Sequence, residues 1–184
     1  HPQILYVEGE PRWEYRYLRR AVEDDPNIRL VTLLRTSPNK FYRQGIDAEE
    51  TLADGFPTTR EELFAYKGLI LGSIESTFFT QEQLQMIVDF VSQRGGGFLM
   101  IGGRNSFSGG RYQNTPIADI LPVQLTNDES NFVVENLTVN VSDYGRSHPL
   151  MKLKPTGEEI VGEWADLPPL TEFNRVNEAK VGAI

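Results

Sequence analysis

Three segments of this 184-residue chain carry side chains that could do chemistry: Glu8-Gly-Glu-Pro-Arg12, Ser73-Ile-Glu-Ser76 and the glycine-rich Gly102-Gly-Arg-Asn-Ser-Phe-Ser-Gly-Gly110. Glu8, Glu10 and Glu75 are carboxylates that could gather a hard cation, which takes oxygen ligands. Arg12 and Arg16 stand among the acids, and with Glu14 they favour intramolecular ion pairs over a metal. The glycine-rich loop could turn backbone N–H groups toward an anion, as phosphate loops do. It lacks a Lys-Ser/Thr ending and the G-x-G-x-x-G spacing, so a tight turn packed on a sheet is the favoured reading. Ser106, Ser108 and Ser147 are nucleophiles by type, and His148 is the one internal histidine that could serve as their base. No G-x-S-x-G elbow surrounds any serine, and His148 precedes a proline, which suits a turn. The chain has no cysteine, which removes thiolate nucleophiles, thiolate zinc sites and disulfides.

These segments matter only if elements of structure bring them together. Ile4-Leu-Tyr-Val7 is a short apolar run closed by Glu8-Gly-Glu-Pro11, a buried strand and its exit loop. Trp13, Tyr17, Leu18, Ala21 and Val22 recur at helical spacing until Pro26-Asn27, and Ile28 to Leu34 makes a second strand. Residues 37–58 read as an irregular polar excursion. Thr59 with Glu62 and Thr80 with Gln83 are capping boxes, the second opening a stripe of Leu84, Ile87, Val88 and Val91. Leu69-Ile-Leu71 and Phe98-Leu-Met-Ile101 are further buried strands.

The alternation predicts a mostly parallel α/β sheet with strands near 3–8, 28–35, 68–72 and 98–102 in the order 2-1-3-4. Helices 12–24 and 80–94 should lie on opposite faces. The three loops then converge outside the carboxyl ends of the strands, where such sheets bind ligands. The candidate cleft comprises Glu8, Glu10, Arg12, Glu75, Gly102, Arg104, Asn105 and Ser106. After Pro122 the pattern changes: Leu137, Val139 and Val141 alternate with polar residues as a half-exposed strand, among loop-rich sequence. Residues 1–122 therefore read as an α/β core and 123–184 as a β- and loop-rich extension of the same domain. Lys180-Val-Gly-Ala-Ile184 reads as the start of a strand, so the chain is expected to be truncated, with a fold that continues.

A net charge of −8 excludes the phosphate backbone of a nucleic acid as partner. The longest apolar runs are far shorter than a membrane span, so a membrane would be reached only through segments outside this chain.

Ile4-Leu-Tyr-Val-Glu-Gly-Glu-Pro-Arg-Trp-Glu-Tyr-Arg16, Leu33-Leu-Arg-Thr36, Gly95-Gly-Gly-Phe-Leu-Met-Ile-Gly-Gly103 and Trp164…Leu167-Pro-Pro-Leu170 resemble the putative glutamine amidotransferase family. This is a bacterial branch of the class I glutamine amidotransferase-like superfamily. Its members often sit in membrane-anchored proteins that also carry a von Willebrand factor type A domain. The resemblance implies a flavodoxin-like three-layer sandwich. It also implies a nucleophilic cysteine on the turn after a strand, and overlay of that pattern puts Gly102 at its position. The expected reading is a non-catalytic module for interaction or ligand sensing, with a protein or small polar ligand as partner. It has no catalytic residue, no cofactor and no metal, and belongs to a larger bacterial envelope protein. The alternatives are a hydrolase or transferase using Ser106 or a metal-bound water held by Glu8 and Glu10, and an anion sensor built on Gly102 to Gly110.

Overall fold

A computed structural model describes residues 1–153 and 160–183. The central sheet contains β1 (Gln3–Glu8), β2 (Arg29–Ser37), β3 (Lys40–Gln44), β4 (Gly68–Leu71) and β5 (Gly97–Met100). Their order is β3-β2-β1-β4-β5; β3 is antiparallel to β2 and every other pairing is parallel. The four strands read from the sequence thus stand in the expected order.

Side chains alternate along β1 and so divide the sheet into two faces. Leu5 and Val7 point into the larger core with Leu33, Leu69 and Leu71. That core is covered by α2 (Arg60–Phe64), α3 (Gln81–Ser92) and α4 (Ile117–Ile120), through residues such as Leu63, Leu84, Ile87, Phe90 and Ile117. Tyr6 points the other way, onto Tyr15 of α1 (Trp13–Val22) and Leu34 of β2. α1 and α3 therefore lie on opposite faces, as right-handed crossovers on the two sides of β1 require. The result is three layers with the flavodoxin-like arrangement.

Both capping boxes form: Thr59 and Glu62 open α2, and Thr80 and Gln83 open α3. Gly95, at φ +72°, ends the α3 segment with a left-handed turn that glycine tolerates best. A Cβ at neighbouring Gly96 would run into the Phe90 ring.

Two expectations are corrected. Residues 37–58 are not irregular throughout, because β3 lies among them. Its sequence, Lys-Phe-Tyr-Arg-Gln, shows little strand character, since only Phe41 packs against the core and the strand sits at the sheet edge. The strand expected around Leu137, Val139 and Val141 lies earlier, as β6 (Phe132–Leu137), pairing antiparallel with β7 (Leu170–Asn174). Pairing stops at Leu137 because its partner there, Leu170, is the first residue of β7. The extension is tied back to residues 122–124 by the Val123–Ala179 bridge and by the Lys180 N–H donating to the Pro122 carbonyl (2.8 Å). Within it, α5 (Ile160–Ala165) presents Trp164, whose Nε1–H donates to the Met151 carbonyl (2.7 Å). Among the described residues no helix is long and apolar enough to cross a membrane.

Candidate functional site

The strand order reverses between β1 and β4, the place where such sheets open a ligand crevice, and the loops leaving these two strands meet there. Glu8, the last residue of β1, lies under this crevice and is fully buried, a rare place for a carboxylate. Its Oε1 accepts the backbone N–H groups of Gly9 (3.0 Å), Glu10 (3.3 Å) and Ser73 (2.8 Å). Its Oε2 accepts the Tyr6 hydroxyl (2.6 Å) and Arg12 Nε–H (3.1 Å). Glycine at 72 makes room for this arrangement, since a Cβ there would collide with the Glu8 carboxylate. With both oxygens engaged by protein donors, Glu8 has nothing to offer a cation. Burial first, and then the Glu8 charge, push the Tyr6 phenol well above the ordinary tyrosine range.

Arg12 carries the connection onward. Its Nη1 donates to the Gly102 carbonyl (2.6 Å) and stands 3.9 Å from Glu14 Oε1. Its Nη2 is buried without a hydrogen-bond partner among the described residues. Arg16, expected to pair with a carboxylate, lies instead over the Trp13 ring at 5.5 Å.

The glycine-rich loop is stitched down by its own polar groups. Asn105 N–H donates to Ser73 Oγ (3.1 Å), Gly109 N–H to Asn131 Oδ1 (3.0 Å), and Gly110 N–H to the Ser106 carbonyl (3.1 Å). Ser106 is fully buried, its hydroxyl within reach of the Ile101 (2.7 Å) and Gly72 (3.2 Å) carbonyls. A hydroxyl so placed braces the loop and cannot approach a substrate. His148 accepts the Leu150 N–H on Nδ1 (3.3 Å), capping a short turn in the extension.

Asn174, at the end of β7, grips the turn after β5. Gly103 N–H donates to Asn174 Oδ1 (2.8 Å), and Asn174 Nδ2 donates back to the Gly103 carbonyl (2.9 Å). A Cβ at Gly102 would stand 2.8 Å from Asn174 Oδ1, closer than such contacts occur. Sequence reasoning missed Asn174 and Asn131, because an asparagine beside a strand end belongs to no motif.

The candidate residues are distributed over two hollows and the floor beneath them. Glu10, Arg12, Gly102 and Arg104 line one cavity of about 950 Å³, joined by Trp13 and Asn174. Arg104 places its guanidinium 5.0 Å from the Phe132 ring centre. Glu75 lines a second hollow beyond Pro11, bound bidentately by Arg35 at 2.6 and 2.7 Å. The Arg35 hydrogen bonds hold the Glu75 carboxyl below its usual value. Glu8, Asn105 and Ser106 lie beneath, as braces between the loops. Among the described residues no group of three or more histidine or acidic side chains is arranged to hold a metal ion.

A family model described as "Putative glutamine amidotransferase" matches residues 32–183. The chain belongs to that family. A solved structure from Salmonella typhimurium, described as cytoplasmic protein STM3548, is similar with a TM-score of 0.66 and 19% sequence identity. The likeness covers 97% of this chain and 75% of that one, and at this identity it speaks for the fold alone. No curated protein matches the chain. Within the glutamine amidotransferase-like family, the turn after β5 is the position the family resemblance assigns to a nucleophile. Here Gly102 occupies it, with Asn174 pressed against the space that a side chain would need.

Proposed function

We propose that this chain is a non-catalytic glutamine amidotransferase-like module that binds a protein or small polar ligand within a larger bacterial envelope protein. One observation carries the reading: the turn after β5 has no nucleophile and is closed by the paired hydrogen bonds between Gly103 and Asn174. Amide transfer from glutamine needs a thiolate that forms a covalent thioester, and the chain contains no cysteine. The charged residues in the lining of the cavity support a binding role. Arg12, Arg104, Glu10 and Glu172 surround the cavity with both signs of charge. The envelope setting rests on the family resemblance alone, since members of that family often sit in membrane-anchored proteins.

The serine alternative has little support, because Ser106 is buried between carbonyls and His148 does not line the cavity. The test is ammonia release from glutamine, with Ser106→Ala as control, alongside a thermal-shift screen of small polar compounds. The expected result is no turnover by either protein, and a stabilising compound whose effect is lost in Arg104→Ala. Turnover by the unmodified chain that disappears in Ser106→Ala would overturn the reading.

A further inference from the structure

The solvent face of α1 carries the residue types of a protein interface. Tyr15 and Leu18 lie on the packed side of the helix, in the smaller core. Trp13, Arg16, Tyr17 and Arg20 are exposed, and their spacing of three, four and seven residues sets them in one stripe. Trp13 and Tyr17 are 63% and 61% exposed. Their rings stack with centres 6.0 Å apart, and Arg16 lies over Trp13, so the stripe is ordered before anything docks on it. The outer face of a helix is ordinarily charged and polar. Trp, Tyr and Arg are the residues that dominate the energy of protein interfaces. Arg16, Arg19 and Arg20 also form no ion pair among the described residues, although acids outnumber basic residues by 26 to 18 in the chain. The helix dipole gives Arg19 and Arg20 a reason to stand in the last turn, but it gives none for two exposed aromatic rings.

We propose that this stripe docks an acidic segment of another protein, whose carboxylates meet Arg16 and Arg20 while an apolar side chain covers Trp13 and Tyr17. Arg16 and Arg20 are about one helical turn apart, roughly 6 Å along the axis. The two carboxylates of an extended Glu-x-Glu segment repeat at about 6.6 Å, so one such segment reaches both arginines. α1 contains arginines and no lysine, and the planar guanidinium fork fits a carboxylate. An extended polyanion, such as a nucleic acid or an anionic bilayer, would face the whole chain and its net charge of −8. A short segment meets the stripe alone, because charges beyond about 8 Å are largely screened at physiological salt. The stripe shares only Trp13 with the lining of the large cavity, so the inference stands whether or not that cavity binds a ligand.

The probe is a short Glu-x-Glu peptide that also carries a phenylalanine, compared with its Gln-x-Gln counterpart by titration calorimetry. A Trp164→Phe background leaves Trp13 as the only tryptophan, so its fluorescence gives a second readout. The glutamate peptide should bind saturably and about tenfold more tightly than the glutamine peptide. Arg16→Gln, Arg20→Gln and Tyr17→Ala should each weaken it about tenfold. Arg146→Ala, at an exposed arginine elsewhere, should not. If one stripe variant fails to fold, the other two decide. Equal binding of the two peptides, or no binding at millimolar peptide, would overturn the proposal. Binding lost in Arg104→Ala and indifferent to Tyr17→Ala would assign the peptide to the cavity and also overturn it. Tighter binding to phosphatidylglycerol vesicles than to the peptide would give the stripe to a membrane, and a dimer mass lost in Arg16→Gln would give it to a second copy. Either result would refute the acidic partner.

Discussion

Replacing Glu8 by glutamine keeps the shape of the side chain and removes its charge. If the carbonyl oxygen takes the place of Oε1, the N–H groups of Gly9, Glu10 and Ser73 keep their acceptor. The new NH2 then faces the Tyr6 hydroxyl and Arg12 Nε–H. The hydroxyl can rotate to accept, but the guanidinium can only donate. Losing a hydrogen bond between charged groups costs about 1.5–3 kcal/mol. Stranding one member of a buried pair costs about 3–5 kcal/mol. The Arg12 side chain is 17% exposed and keeps the Gly102 carbonyl, which places the expected loss at the lower end, about 3 kcal/mol. For a chain of this size that is a fall of about 6–12 °C in melting temperature. Urea titration and calorimetry on Glu8→Gln would measure it. Tyr6→Phe serves as the control, because it removes one of five donors to the Glu8 carboxylate and strands no cation, and it should cost about 1.5 kcal/mol, the lower end for a hydrogen bond to a charged group. A Glu8→Gln protein within about 1 kcal/mol of the unmodified chain, or less damaged than Tyr6→Phe, would refute the claim that Glu8 holds the loops together.

Gly102→Cys should give no glutaminase activity and should lower stability, because its Cβ meets Asn174 Oδ1 at 2.8 Å; ammonia release and a melting curve check both. Arg35→Ala should flatten the acid side of the stability profile. The Glu75 carboxyl is depressed in the folded state, so its contribution is present above the unfolded value and lost as pH falls through the lower folded one. The change should appear below about pH 4.3 and amount to less than ~1 kcal/mol, since the pair is partly exposed. Denaturation midpoints measured from pH 3 to pH 7 would show it, and profiles of equal slope would contradict it.

Much of the fold was legible because buried parallel strands are short apolar runs that turns interrupt. Leu69-Ile-Leu71 and Phe98-Leu-Met100 announce themselves in this way, and Thr59 and Thr80 mark helix starts through local hydrogen bonds. β3 did not, because an edge strand needs no apolar alternation and is held by pairing to β2. β6 was misplaced because alternation continues past Leu137, while the strand ends where β7 runs out of residues. In the site, topology alone brought the loops after β1, β4 and β5 together. The destination of each side chain depended on partners distant in sequence. Glu75 turned to Arg35, 40 residues away, and left the larger cavity to Arg104 and Glu10.

The glycine at 102 stands where the turn after β5 meets the extension. The space a nucleophile would fill there adjoins the Asn174 carboxamide, which comes from β7 and fastens the extension to the turn. A side chain at 102 would require the Asn174 carboxamide to shift from this position, and that shift would be felt by its hydrogen bonds to Gly103. The Glu8–Arg12 connection has no such conflict, since it organises the loops from below and reaches the turn only through the Gly102 carbonyl. That connection shapes the loops independently of the residue at 102, while Glu10, Arg104 and Glu172 supply the charged lining of the cavity.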